Sequence, residues 1–155
     1  MIKAFPEIAD LIPHRSSMVL LDRVIATSAD SLCAEVRIRS GDIFFDADID
    51  GVGAWVGIEY MAQAIAAHEG YQALARGDAV KIGFLLGARR YESHCAKFAL
   101  GSVLQVYVHH VLEHENGLGA FECRITDVAA TLLANATVTV FKPDNVGQFL
   151  ERSNG

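Results

Sequence analysis

Val52-Gly53-Ala54-Trp55-Val56-Gly57-Ile58-Glu59-Tyr60-Met61-Ala62-Gln63-Ala64-Ile65-Ala66-Ala67 is the longest apolar stretch of the sequence, broken only by Glu59 and Gln63 among its larger side chains. From Trp55 to Leu74 the chain continues in Ala, Ile, Met, Glu and Gln without a proline, a composition that prefers helix to strand. The stretch is too short and too polar to span a bilayer. Its apolar residues run nearly all round the helix as far as Ala67, and only beyond His68 do Glu69, Gln72 and Arg76 crowd in. A helix that is apolar on every side has to be enclosed by other structure.

The flanking sequence supplies the enclosure. Val19 to Val24 and Ser31 to Arg39 favour strands, and in the second Cys33, Glu35, Arg37 and Arg39 alternate with Ala34, Val36 and Ile38, which predicts one wet face. Phe5 to Leu11 reads as a short helix stopped before Pro13, and Gly51-Val52-Gly53 as a loop. After the helix, Val80 to Arg89 leads to Phe98, and then Ser102 to Glu115, the turn Asn116-Gly117-Leu118-Gly119, Ala120 to Asp127 and Thr131 to Phe141 read as an antiparallel meander. One long helix embedded among such strands gives an α+β layer in which a curved antiparallel sheet wraps the helix, a hot-dog fold. Residues 1–155 are expected to form one such domain, with no internal linker or repeat.

Composition narrows the partners. The 155 residues carry 13 Lys+Arg against 19 Asp+Glu, a formal net charge of −6, with 52% hydrophobic and 21% charged residues. An acidic chain without Lys/Arg clusters argues against nucleic acid and anionic membrane surfaces as partners. The N-terminus carries Glu7 and Asp10 where a secretory signal needs an unbroken apolar core, so a cytoplasmic location is expected. Cys33, Cys95 and Cys123 are odd in number and far apart, which suits neither a disulfide framework nor a Cys-x-x-Cys metal site. His109-His110 cannot both point one way on a strand and make a poor metal site. Gly51-Val52-Gly53 lacks the surroundings of a phosphate-cradling motif. No cofactor and no metal are expected.

Leu11-Ile12-Pro13-His14-Arg15, then Leu20-Leu21-Asp22-Arg23-Val24, then Glu59-Tyr60-Met61-Ala62-Gln63, in that order and with the closing strand ending at Lys142-Pro143, resemble the β-hydroxyacyl-acyl-carrier-protein dehydratases of fatty-acid synthesis. The resemblance covers almost the whole chain. Within that family, the stretch Trp55 to Ala64 is most similar to the divergent dehydratase-like proteins of aryl-polyene and related lipid pathways. The resemblance implies a hot-dog dimer with active sites at the subunit interface, acting on acyl chains tethered by a thioester to an acyl carrier protein and removing water from a 3-hydroxyacyl group. It also implies a histidine, in a His-Phe-Pro-Gly motif, from one subunit and an acid on the central helix from the other. Glu59 matches the acid.

Physical reasoning agrees with that pairing. Removing water across the α and β carbons needs a base for the α proton and an acid for the departing hydroxyl. Enclosure of Glu59 by Trp55, Ile58 and Met61 would favour its protonated form. Backbone N–H groups at the helix start, from Gly53 through Ala54 and Trp55 to Gly57, are candidate donors to the thioester oxygen and make these residues, with Gln63, the expected substrate contacts. Gln63, one turn after Glu59, could instead hold Glu59 or fill an interface. Trp55 and Tyr60 are as suited to lining an acyl pocket as to plugging a core.

The matching histidine is missing. Where the motif should stand the chain reads Asp46-Ala47-Asp48-Ile49-Asp50-Gly51-Val52-Gly53, and no histidine occurs between His14 and His68. His68, nine residues after Glu59, lies on the opposite side of the helix and about 13 Å along it. A carboxylate of the Asp46 to Asp50 segment, with Asp48 at its middle, is the candidate catalytic replacement, and its plainer reading is a solvated loop before the helix. Asp22-Arg23 reads as a fixed ion pair or turn contact.

Two versions of the dehydratase reading follow. Either the chain contributes Glu59 to a heterodimer with a histidine-containing dehydratase, or it forms a homodimer with a rebuilt site near Asp48. A hot-dog thioesterase, which needs only a helix carboxylate and water, is the enzyme alternative, and a non-catalytic acyl-binding module is the third.

Overall fold

The computed structural model describes residues 5–11, 18–77, 84–113 and 117–141. His14, His114, the Pro13-His14-Arg15 motif and the Lys142-Pro143 closure lie outside the described residues, as does Asn116 of the turn read ahead of the eighth strand.

After a short helix, α1 (Ile8–Leu11), come strands β1 (Arg23–Thr27), β2 (Ser31–Arg37), β3 (Phe45–Asp46) and β4 (Gly51–Gly53). A 3-10 turn (Ala54–Val56) then opens directly into α2 (Gly57–Ala75), and strands β5 (Phe84–Ser93), β6 (Lys97–Ala99), β7 (Val103–Glu113), β8 (Leu118–Thr126) and β9 (Leu132–Phe141) follow. Six strands form one antiparallel sheet in the order β1-β2-β7-β8-β9-β5, and β3-β4-β6 form a small second sheet. The large sheet curls around α2, which contacts β2, β5, β7, β8 and β9. This is the hot-dog fold expected from the sequence.

The helix is enclosed as its composition demands. Tyr60, Met61, Gln63, Ala64, Ile65, Ala67 and His68 are all buried, against Leu104, Val106 and Val108 of β7 and Phe121 and Ile125 of β8 among others. It ends where Gly77 takes a left-handed backbone, φ +76°, a conformation that a helix terminus readily uses and that glycine adopts at no steric cost. No helix among the described residues is long and apolar enough to cross a membrane.

Four local expectations are corrected. β1 begins at Arg23 rather than Val19, because the carbonyl of Met18 and the amide of Leu20 bond to the Gln63 side chain instead of a neighbouring strand. The predicted wet face of β2 is closed at Glu35, which is only 7% exposed, since its cross-strand partner Arg23 and its neighbour Arg37 fold over it. Gly51-Val52-Gly53 is a strand, not a loop, pairing Val52 with both Phe45 and Phe98. The meander holds only for β7-β8-β9. β2 takes the place beside β7, and β5 lies beyond β9 at the sheet edge.

Asp22 and Arg23 do not pair with each other. Asp22 accepts from Arg39 Nη1 at 2.6 Å and from the Arg37 amide at 2.6 Å, while Arg23 Nε donates to Glu35 Oε2 at 2.5 Å. Both fix the β1–β2 corner. The three cysteines are free, with Cys123 buried and Cys33 and Cys95 half-buried, and burial pushes each thiol up, that of Cys123 to about 12.

Candidate functional site

Glu59 sits half-buried in the first turn of α2. One turn on, Gln63 is 0% exposed and its carboxamide is committed three times over. Its nitrogen donates to Met18 O at 2.6 Å and to Glu59 Oε1 at 3.2 Å, and its oxygen accepts from the Leu20 amide at 2.8 Å. Gln63 thus joins the Glu59 carboxylate to the 18–20 segment, and it presents no face to a bound molecule. Burying an amide this deeply is tolerable only because its polar atoms are satisfied.

The start of the helix is bound into the sheet. Ala54 is buried, its amide donates to Ala96 O at 3.1 Å, and its carbonyl accepts from the Gly57 amide. Two of the amides that the sequence offers to a thioester oxygen, those of Ala54 and Gly57, are therefore committed within the fold. Trp55 stands largely in solvent at the start of the helix. It is 67% exposed, edge-on to Phe44 at 5.6 Å between ring centres, and leans over Gly53, where an added Cβ would stand 2.6 Å from its indole Nε1. Tyr60 is buried against Phe98, and burial pushes its phenol well up.

Asp46, Asp48 and Asp50 are exposed on the 42–50 segment, where Asp46 Oδ1 accepts from the Asp48 amide at 2.9 Å in a tight turn and Asp50 takes a left-handed backbone, φ 54°. The four described histidines are engaged elsewhere. His68 Nε2 is 3.1 Å from Ala29 O, His94 Nε2 is 2.7 Å from Asn135 Oδ1, His110 stacks on Phe121 and His109 lies beside Tyr107. An open hollow of about 580 Å³, lined by Arg90, His109, Glu122 and Arg124 among others, is on the outer face of the sheet, away from α2.

Tyr91 is the residue that sequence reasoning missed. Its hydroxyl donates to the Ala54 carbonyl from 37 residues away, and a Cβ on Gly57 would stand 2.1 Å from its oxygen. No local pattern announces such a contact, because a bulge in β5 decides it.

The helix-borne acid and the histidine gap sit in a chain whose relatives can be named. A family model described as ApeP-like, ApeP dehydratase, matches residues 6–151. The chain belongs to the ApeP-like dehydratase family. It is 28% identical over 135 residues to a 3-hydroxyacyl-[acyl-carrier-protein] dehydratase FabZ of Pseudothermotoga lettingae, covering 86% of this chain and 92% of that protein. It is similar, at TM-score 0.88 and 28% identity over 98% of this chain and all of the other, to a chain of the dehydratase heterocomplex ApeI:P from Xenorhabdus doucetiae. The PaaI protein of E. coli, from the phenylacetic acid degradation operon, matches at TM-score 0.59 and 10% identity over 77% of this chain and 82% of its own, which establishes the shared fold alone.

As an ApeP-like dehydratase, the chain is a 3-hydroxyacyl-carrier dehydratase-like protein. On the first turn of α2 the Glu59 carboxylate is held by the buried Gln63 amide.

Proposed function

We propose that this chain is the Glu59-donating subunit of a dehydratase for 3-hydroxyacyl chains held as thioesters on an acyl carrier protein, and that a histidine-bearing dehydratase subunit supplies the base. The observation that carries this reading is the Gln63-held Glu59 carboxylate in a chain whose sequence has no histidine where the base is expected. The dehydratase heterocomplex to which the chain is similar supports it.

In the proposed reaction the partner's imidazole removes the α proton, and the C–H electron pair becomes the new C2–C3 double bond. The C3–O bond breaks as Glu59 delivers its proton to the leaving hydroxyl, which departs as water. The imidazolium proton returns to Glu59 through solvent, restoring both groups. Gln63 contributes by fixing the rotamer of Glu59, and a remaining backbone amide of the Gly53–Gly57 segment, such as that of Trp55, is the donor assigned to the thioester oxygen. Exposed Trp55, with exposed Ile43 and Ile49 of the neighbouring 42–50 segment, is the apolar surface assigned to the partner subunit. Lipid chains of the aryl-polyene type are the substrates that the sequence resemblance favours.

Asp48 enters as the rival base. A solvated carboxylate is a weak base at neutral pH, and a site built on it would make the chain active alone. The test is dehydration of a 3-hydroxyacyl-carrier substrate by the chain alone, by the partner alone and by the two together. Activity confined to the mixture and lost with Glu59→Gln is expected. Activity of the isolated chain that falls with Asp48→Asn would move the base to Asp48, and free thiol release without dehydration would return the thioesterase reading.

A further inference from the structure

We infer that Tyr91 is a positioning residue for the dehydration site, anchoring the first turn of α2 and through it the backbone that carries Glu59; the inference rests on the role proposed above for Glu59. Neither the 3-10 turn nor α2 has a side-chain cap: the residues at their N-caps, Gly53 and Val56, offer none. The usual local device that fixes a helix start is absent. In its place the Tyr91 hydroxyl, from the edge strand β5, donates to Ala54 O, the same carbonyl that accepts from the Gly57 amide.

Space as well as hydrogen bonding defines the contact. An added Cβ at Gly57 would be 2.1 Å from the Tyr91 oxygen and 3.1 Å from Ile125 Cδ1, so the hydroxyl occupies the volume that any other residue at 57 would need. Glycine at 57 and tyrosine at 91 are two halves of one fit. Burial pushes the Tyr91 phenol up to about 12, so it is a neutral donor throughout the physiological range.

A backbone irregularity aims the ring. Arg89 pairs with Thr137 and Glu92 with Asn135, so Arg90 and Tyr91 together oppose the single residue Ala136. Arg90 takes φ 56°, a left-handed conformation that is costly for a side chain of this size. In regular register Tyr91 would face Asn135, which lines the hollow on the outer face. The extra residue sets Tyr91 opposite buried Ala136, on the helix side, while Arg90 and Glu92 stay on the outer face.

Glu59 follows Gly57 by two residues, so its carboxylate moves with the first turn. Tyr91 holds that turn from its N-terminal side and Gln63 holds the carboxylate from the C-terminal side. Misplacement of a catalytic group by about 1 Å can cost on the order of a hundredfold in rate.

The test uses the full chain assembled with its histidine-bearing partner, carrying Tyr91→Phe, which removes one oxygen and keeps the ring. Two readouts are taken: kcat and KM for a 3-hydroxyacyl-carrier substrate, and amide hydrogen exchange along α2. Expected are a kcat about tenfold lower with KM within about twofold, and exchange at residues 57–59 at least about tenfold faster with residues 65–73 unchanged. Gly57→Ala should damage the wild-type background more than the Tyr91→Phe background, where its clash is partly relieved. Wild-type kcat and exchange in Tyr91→Phe, or a uniform loss of protection along all of α2 with kcat unchanged, would overturn the inference. A wild-type assembly that dehydrates nothing would instead sink the functional reading, and the exchange at 57–59 would still decide the anchoring.

Discussion

The Gln63 carboxamide donates to Glu59 Oε1 at 3.2 Å while the same side chain ties down Met18 O and the Leu20 amide. One fully buried amide therefore couples the acid of the helix to the entry of the large sheet. Gln63→Leu removes the link to Glu59 and leaves two backbone groups without their partner. It is expected to cost about 1–3 kcal/mol of stability, read by denaturant unfolding, and to lower kcat of the assembled enzyme in the fraction that remains folded.

Glu59→Gln keeps the shape and the contact with Gln63 but has no proton to deliver. Loss of general acid catalysis is worth about 10²–10⁴-fold, so kcat of the assembly should fall by at least about a hundredfold. Co-purification with the partner and the unfolding midpoint should stay near wild type.

Trp55, the single tryptophan, is 67% exposed, edge-on to Phe44 and leaning over Gly53. Trp55→Ala is expected to leave the stability of the isolated chain within about 0.5 kcal/mol and to weaken assembly with the partner at least about tenfold, as truncation of an interface aromatic does. Sedimentation or surface-binding measurement of the pair checks it.

Glu35 gives the fold a pH dependence of definite sign. The hydrogen bond from Arg23 holds its carboxyl below the usual carboxylate range, against the opposing effect of burial and with help from the charges of Arg23, Arg37 and Arg39. A carboxyl with a lower pKa folded than unfolded stabilises the fold fully above its unfolded value, about 4.3, and this stabilisation is lost as pH falls through the folded value. Glu35→Gln should therefore be less stable than wild type at pH 7 by about 1 kcal/mol, with the difference shrinking below about pH 4. Unfolding midpoints of the two proteins across pH 3–7 provide the comparison.

The long helix and the β7-β8-β9 meander were legible because their signals are local: an apolar run without proline, and alternating β-formers separated by turn residues. The Glu59-Tyr60-Met61-Ala62-Gln63 motif stood out through its family resemblance rather than through periodicity. What the sequence hid is non-local. Gly51-Val52-Gly53 becomes a strand only because Phe98 and Phe45 come to lie on either side of Val52. Glu35 looked solvated because its alternation is regular, and its closure depends on Arg23 arriving from β1. Tyr91 reads as one more strand residue, and the bulge at Arg90 that turns it towards Ala54 leaves no local mark.

The most direct test of the account is the rate of dehydration of a 3-hydroxyacyl-carrier substrate by the purified chain mixed with its histidine-bearing partner, set against each protein alone. The account predicts no activity from this chain alone, activity from the mixture above that of the partner, and loss of that gain with Glu59→Gln. Dehydration by the isolated chain, or a gain in the mixture that survives Glu59→Gln, would contradict it.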